Sequence, residues 1–313
     1  MSRKIIIDTD PGQDDAVAIL LALASPEELD VLGIVTVAGN VELNQTTRNA
    51  LQTVELSGRT DVPVYAGCAR PMRQPLITAK YVHGDTGLDG PDLPAPQMKA
   101  EEQHGVDFII EALRSNPANT VTLCTLGPLT NIGMAFVKAP DIVERVERIV
   151  MMGGAYFEVG NTTPAAEFNI YVDPEAADLV MRSGVPITLA TLDVTHKVLT
   201  TKDHLEQIRA IGKRAATATV EMLDFFERFD REKYGWDGGP LHDPCVIAWL
   251  LKPELFGGRD INVEIETGSE LTRGMTVADY WGIMDKPANV HFLDSVDATG
   301  FFALLAQRLE RLP

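Results

Sequence analysis

The apolar positions of this chain alternate between short continuous runs and longer stretches that repeat every three to four residues. Lys4–Asp8 is a run of isoleucines ending in acid, the pattern of a central strand buried on both faces. Asp14–Ala24 follows with helical periodicity. Leu29–Val37 reads as a second strand, Leu43–Ser57 as a second helix and Val62–Tyr65 as a third strand. Cys68–Gln97 is rich in Pro and Gly and has little periodicity, and a loop of that size in a compact fold is more often functional than not. The alternation resumes with Val106–Arg114 (helix), Val121–Leu126 (strand), Leu129–Val137 (helix) and Arg148–Met152 (strand). Pro174–Arg182 reads as a helix with Asp173 as its N-cap and Pro174 in the first turn. Ile187–Leu192 is a further strand, and helices follow at Thr201–Ile211 and Ala215–Phe229. A Gly-rich turn, Gly235–Pro240, precedes a short helix starting at Pro244. The tail holds strand-like runs at Ile261–Glu266, Gly274–Ala278 and Val290–Leu293, then a last helix, Ala298–Leu309.

Strands alternating with helices imply right-handed crossovers and an α/β fold. The expectation is one domain over residues 1–313: an open, mostly parallel sheet flanked by helices, the late strands forming a small antiparallel extension. In such sheets, sites form beyond the carboxyl ends of the strands. The residues just past each strand are therefore informative. After the first comes Asp8-Thr9-Asp10-Pro11-Gly12-Gln13-Asp14-Asp15, after the second Gly39-Asn40, and after the fourth Leu126-Gly127-Pro128. Met152-Gly153-Gly154 comes after the fifth, with Asn161, Glu167 and Asn169 soon after, and Asp193 after the sixth.

The first of these segments carries four aspartates in eight residues. Carboxylates that close raise each other's pKa unless a cation or donors compensate, and a hard divalent ion is the simplest compensation. Asp14 and Asp15 could instead only complement a helix N-terminus, but Asp8 and Asp10 precede the helix. The twelve-residue loop of an EF-hand is absent. Asp243, before Pro244, reads on its own as a helix cap, and His242 as a satisfied, partly buried histidine.

Composition narrows the partners. With 45 Asp and Glu against 27 Lys and Arg, the formal charge is −18, which excludes a phosphate-binding nucleic-acid surface. No apolar stretch approaches a membrane span, and the opening residues lack a signal-peptide core, so a cytoplasmic protein without membrane partners is expected. Cys68, Cys124 and Cys245 fit no metal spacing and read as buried thiols in a reducing compartment.

The run IIIDTDPGQDDAVAILLAL resembles the N-terminal signature of the inosine-uridine-preferring nucleoside hydrolase family. The likeness continues through TVAGN (Thr36–Asn40), HGDTGLDG (His83–Gly90), LGPLTNI (Leu126–Ile132), MGGA (Met152–Ala155), GNTTPAAEFNIYVDPEAA (Gly160–Ala177) and LHDPC (Leu241–Cys245). Within that family the chain resembles the bacterial pyrimidine-preferring ribonucleoside hydrolases. The resemblance implies a calcium ion held by Asp10, Asp15, Asp243 and the carbonyl of Leu126, with the ribose hydroxyls completing its shell. It also implies Asp14, Asn40 and Asn169 on the ribose hydroxyls, Asn161 and Glu167 at the 5′ end, and Met152 packed on the sugar. Family members are commonly dimers or tetramers, so a homo-oligomer is expected.

The implied reaction is hydrolysis of the N-glycosidic bond of uridine or cytidine, with inosine also accepted, through a cationic sugar. It calls for a site rich in oxygen and poor in Lys and Arg. Asp10 is assigned as general base to a water attacking opposite the nucleobase, inverting the anomeric carbon. His242 is the candidate acid for a purine, and His83 and Tyr234, on the two segments most like flaps, are candidates to meet the base. Phe225, Phe226 and Phe229 sit at near-helical spacing and read as core. Two rivals are a haloacid-dehalogenase-like phosphatase and a non-catalytic, calcium-dependent ribose-binding protein. The first would need Thr or Ser two residues after Asp10 and a later phosphate-binding Lys; the second would not need both Asp10 and His242.

Overall fold

A computed structural model describes residues 2–313. Its strands are β1 (Arg3–Thr9), β2 (Leu29–Thr36), β3 (Val64–Ala66), β4 (Val121–Thr125), β5 (Val146–Met152), β6 (Ile187–Ala190), β7 (Phe256–Ile261), β8 (Val263–Ile265), β9 (Thr276–Ala278) and β10 (Val290–Val296). Its α-helices are α1 (Gln13–Leu23), α2 (Leu43–Ser57), α3 (Lys80–His83), α4 (Gly105–Ser115), α5 (Thr130–Lys138), α6 (Phe168–Val172), α7 (Pro174–Met181), α8 (Leu192–Thr195), α9 (Lys202–Arg209), α10 (Arg214–Tyr234), α11 (Pro244–Leu251) and α12 (Ala298–Leu309).

Eight strands form one sheet in the order β3-β2-β1-β4-β5-β6-β10-β7. Only β7 runs antiparallel to its neighbour; β8 and β9 pair separately as an antiparallel ribbon. The isoleucine run of β1 explains its central place. Ile5 and Ile7 enter the core built with α1, α2 and α9 to α12, while Ile6 enters the opposite core with α4, α5 and α7. Each fully buried isoleucine contributes about 1.5–3 kcal/mol, so a strand apolar on both faces is stable only between two helical layers.

The chain begins at the sheet centre, walks out through β2 to β3, then returns to the other side of β1 for β4 and walks the other way through β5 and β6. The order therefore reverses between β1 and β4. That reversal opens a crevice at the strands' carboxyl ends, where residue 10 and residues 126–128 emerge.

The tail departs from expectation. The single strand read at Ile261–Glu266 is two strands in two sheets, and β7 lies mostly before it. Gly257-Gly258 looks like a turn, yet Gly258 sits against the sheet, where a Cβ would come within 2.4 Å of the Phe292 carbonyl. The run read at Val290–Leu293 is β10, a parallel member of the main sheet rather than part of the extension. The long loop contains the one-turn α3, and α10 continues past Phe229 to Tyr234 before Gly235 (φ 70°) ends it. Cys124 and Cys245 are buried as expected, but Cys68 is only partly so; all three are free thiols. Among the described residues no helix is long and apolar enough to cross a membrane.

Candidate active site

Asp10 follows directly on β1, and its carboxylate drops into the reversal crevice. Its Oδ2 accepts the Asn40 backbone N–H at 2.7 Å, and its own carbonyl accepts Asn40 Nδ2–H at 3.1 Å. Two glycines make room for it. A Cβ at Gly39 would stand 2.1 Å from Oδ2, and one at Gly127 would stand 2.2 Å from Oδ1. The glycines that follow β2 and β4 are thus the two walls of the Asp10 slot.

Asp14 and Asp15 lie in the first turn of α1. Asp15 does what the structural reading asks of it: Oδ2 accepts the Gly12 N–H at 2.9 Å, satisfying a free helix-end donor. It also accepts from Thr9 Oγ1 at 2.5 Å and from Asn40 Nδ2 at 3.2 Å. Asp243 fails the cap reading. It stands at the N-cap of α11 with helical angles (φ −67°, ψ −34°), and its side chain caps nothing. Instead, oxygens of Asp14, Asp15 and Asp243 lie within 4.8 Å of one another, all three residues buried. Of the implied ion ligands, Asp15 and Asp243 meet here. Asp14, implied as a sugar contact, joins them, and Asp10 stands outside the trio at that spacing.

These carboxyls are strained electrostatically. Burial first, then mutual repulsion, raises Asp10, Asp14 and Asp243 well above the usual carboxylate range. Burial raises Asp15 too, against its bonds from Thr9 and Gly12. No Lys or Arg lines the cleft. Leu126, just past β4, also lines the cleft, and its carbonyl accepts a hydrogen bond from Asn169. Buried carboxylates that repel one another, with no cationic side chain beside them, fit a hard divalent cation. The fourth aspartate of the motif, Asp8, is not part of this group. It shares the face of Ile6, accepts Asn131 Nδ2–H at 2.8 Å, and is pushed up to about 8 by burial.

One wall is polar and rigid. Asn169 Nδ2 donates to the Leu126 carbonyl at 2.6 Å and lies 3.4 Å from Met152 Sδ. Glu167 caps α6, accepting from the backbone of Asn169 (2.9 Å), Gly154 (2.9 Å) and Ile170 (3.2 Å). Asn161 Oδ1 accepts the Phe168 N–H at 2.9 Å. All of these, with Asn40, face the cleft.

The other end is aromatic. Phe226 stacks on His83 at 5.4 Å and meets His242 edge-on at 6.5 Å; Tyr234 stacks on Trp236 at 5.0 Å. His83 is no surface flap residue: it is 7% exposed, ends α3, and its Nδ1 bonds Gln13 Oε1 at 2.7 Å. Tyr234 is helical, the last residue of α10. His242 Nδ1 bonds Thr195 Oγ1 at 2.7 Å. Burial lowers His83 to about 3 and holds His242 well below its ordinary value, so both are neutral at pH 7.

Phe226 and Phe229, read as core, line the cleft, as do Tyr81, His196, Asp230 and Trp236. The spacing of Phe226, Asp230 and Tyr234 was the signal available, but it shows only that they share a helix face. Asp193, expected at the rim, holds a loop instead. Its carboxylate accepts the N–H groups of Tyr156 (2.9 Å), Phe157 (2.6 Å) and Glu158 (2.9 Å).

Known proteins share this fold. Residues 5–303 match the family model described as inosine-uridine preferring nucleoside hydrolase. An uncharacterized protein of Schizosaccharomyces pombe is 53% identical over 99% of this chain and all of its own. The pyrimidine-specific ribonucleoside hydrolase RihA of Shewanella sp. (strain ANA-3) is 50% identical over 99% of this chain and 96% of its own. The solved structure of a purine-preferring ribonucleoside hydrolase from Gardnerella vaginalis superposes with a TM-score of 0.91 at 34% identity, covering 98% of each chain. The chain belongs to the inosine-uridine preferring nucleoside hydrolase family, enzymes that cleave the N-glycosidic bond of ribonucleosides with water.

Proposed function

We propose that this enzyme is calcium-dependent, prefers uridine and cytidine, and transfers water directly to the anomeric carbon. The observation that carries the metal is the buried trio Asp14, Asp15 and Asp243, within 4.8 Å of one another, of which Asp14 and Asp243 line a cleft with no Lys or Arg among the described residues. Those three and the Leu126 carbonyl would hold the ion, with Asp10 beside them. Calcium suits a set made only of oxygens from distant parts of the chain. Once bound, the ion supplies Lewis-acid chemistry to a sugar diol and a water.

The chain's own groups do the rest. Asp10, gripped by Asn40 and walled by two glycines, takes the proton of the attacking water. Asp14, Asn40 and Asn169 position the ribose hydroxyls, and Met152 packs on the ring. Glu167 and Asn161 line the 5′ end. These oxygens also stabilise the positive charge that develops on the sugar as the bond breaks. The aromatic end takes the base, with Phe226, His83, His242 and Tyr234 around it.

The preference for pyrimidines rests on RihA, half identical along the whole chain, against the more distant purine-preferring enzyme. Ribose release from uridine, cytidine, inosine and adenosine, measured side by side in calcium and after exhaustive chelation, tests the reading. Faster turnover of the two pyrimidines, abolished by chelator and restored by calcium, is expected. Undiminished activity in chelator removes the metal role, and faster purine turnover removes the preference.

A further inference from the structure

A nucleobase that departs with the bonding electron pair needs a proton, and the two histidines at the aromatic end are poor sources. Gln13 Nε2 donates to the carbonyls of His83 (3.0 Å) and Asp89 (2.9 Å), which fixes the orientation of its amide. Its Oε1 is therefore the acceptor in the 2.7 Å contact with His83 Nδ1. His83 thus carries its hydrogen on Nδ1 and leaves Nε2 as an acceptor. His242 is tied through Nδ1 to Thr195 Oγ1 at 2.7 Å, which leaves only its Nε2 to face a base.

Asp230 is different. It lies on α10 one turn beyond Phe226 and one turn before Tyr234, and all three line the cleft. The residue is buried (7% exposed), and among the described residues its carboxyl has no hydrogen-bond or ion-pair partner. The neighbouring acid, Glu227, shows the usual outcome: it pairs with Arg231 at 2.8 Å. Lys233, the cation whose charge reaches Asp230, sits over the rings of Phe229 and Tyr234 instead. The other titratable groups lining the cleft are Tyr81 and His83 from α3, Glu158 from its loop, His196 after α8, Tyr234 on α10, His242 before α11, and, at the sugar end, Asp14, Glu167 and Asp243. An unpaired carboxyl buried in this way keeps its proton into the neutral range; burial pushes Asp230 up to about 7 against the opposing pull of Lys233.

Resting on the hydrolase reading, we propose that Asp230 is the catalytic acid that protonates the departing pyrimidine. As the C1′–N1 bond breaks, its electron pair passes to the base and spreads to the exocyclic oxygen. The Asp230 O–H gives its proton there, while the water oxygen bonds C1′ and the water's proton passes to Asp10. Asp230 ends as a carboxylate and Asp10 as a carboxylic acid, so one proton returned through solvent resets the pair.

A leaving group that needs no proton separates this role from a structural one. The calcium-loaded full chain and its Asp230→Asn variant, nearly isosteric, are compared on uridine and on p-nitrophenyl β-D-ribofuranoside, whose phenolate departs stable as the anion. The variant is expected to lose about 100-fold or more in kcat on uridine, yet less than about threefold on the nitrophenyl riboside. Equal losses on both substrates, or an unchanged rate on uridine, overturn the assignment. Wild-type protein inert towards both overturns the hydrolase reading and this inference with it.

Discussion

At the scale of single residues, the most demanding position is Asp10, because its neighbours exist to be small. Gly39 and Gly127 stand on opposite sides of its carboxylate, and a methyl at either would come within 2.2 Å of an oxygen. Neither atom can yield easily, since Oδ2 is tied to the Asn40 N–H and the backbone of Asp10 to the Asn40 side chain. Gly39→Ala and Gly127→Ala are therefore expected to displace the carboxylate while the buried strands keep the fold. A reacting group misplaced by about 1 Å costs on the order of 100-fold in rate, so kcat on uridine should fall about that much in each variant. KM should change far less, because the sugar wall of Met152, Glu167 and Asn169 is untouched. Wild-type kcat in either variant would show that Asp10 has room elsewhere and that its slot does not set the rate.

At the scale of elements, the site depends on loops pinned by buried carboxylates. Asp193 is 5% exposed and accepts three consecutive backbone N–H groups, from Tyr156 to Glu158. The same loop supplies Glu158, Val159 and Asn161 to the cleft. Each N–H left buried without a partner costs about 1–3 kcal/mol, so Asp193→Ala should release the segment into water rather than keep it folded. Faster amide exchange confined to residues 156–158, with a raised KM for uridine and an unchanged melting temperature, is the expected result; unaltered exchange there would mean that the sheet, not Asp193, holds the loop. Much at this scale was legible beforehand. The isoleucines of β1 and the periodicity of α1, α2 and α12 determine those elements locally, because burial on one face or both dictates the pattern. The rest depends on distant partners. β7 hides behind Gly257-Gly258, whose smallness serves contact with β10 rather than a turn. His83 looked like part of a flap because nothing in its own sequence announces Gln13 or Phe226, which bury it. Asp243 read as a cap because Asp-Pro opens helices elsewhere in the chain, as Asp173 does by accepting the Ala176 N–H. Only the meeting with Asp14 and Asp15 distinguishes the two.

At the scale of the whole molecule, the buried carboxylates link folding to both pH and metal. Asp8, Asp10, Asp14, Asp15 and Asp243 all have folded-state pKa values above the unfolded range, with Asp8 at about 8. Between the unfolded value, about 4, and that raised value, the native state binds more protons than the unfolded chain. Above about pH 6.5, where the buried neutral His83 and His242 no longer oppose these carboxyls, stability of the metal-free protein must therefore fall as pH rises. A bound cation replaces protons at Asp14, Asp15 and Asp243, and eases Asp10 beside them. It cannot reach Asp8, which faces the opposite core with Asn131. Thermal melts at steps from pH 6.5 to pH 8 should thus show a steep loss of Tm in chelator and a shallower one in excess calcium, the remainder belonging to Asp8 and Asp230. Calcium fixed at a hundred times its Kd at pH 7 should add about 2.7 kcal/mol there, and the gap between the curves should widen toward pH 8, where metal no longer competes with protons. Parallel curves would show that the acidic floor holds no ion. A Tm that rises with pH in chelator would show that some other group already neutralises these carboxylates.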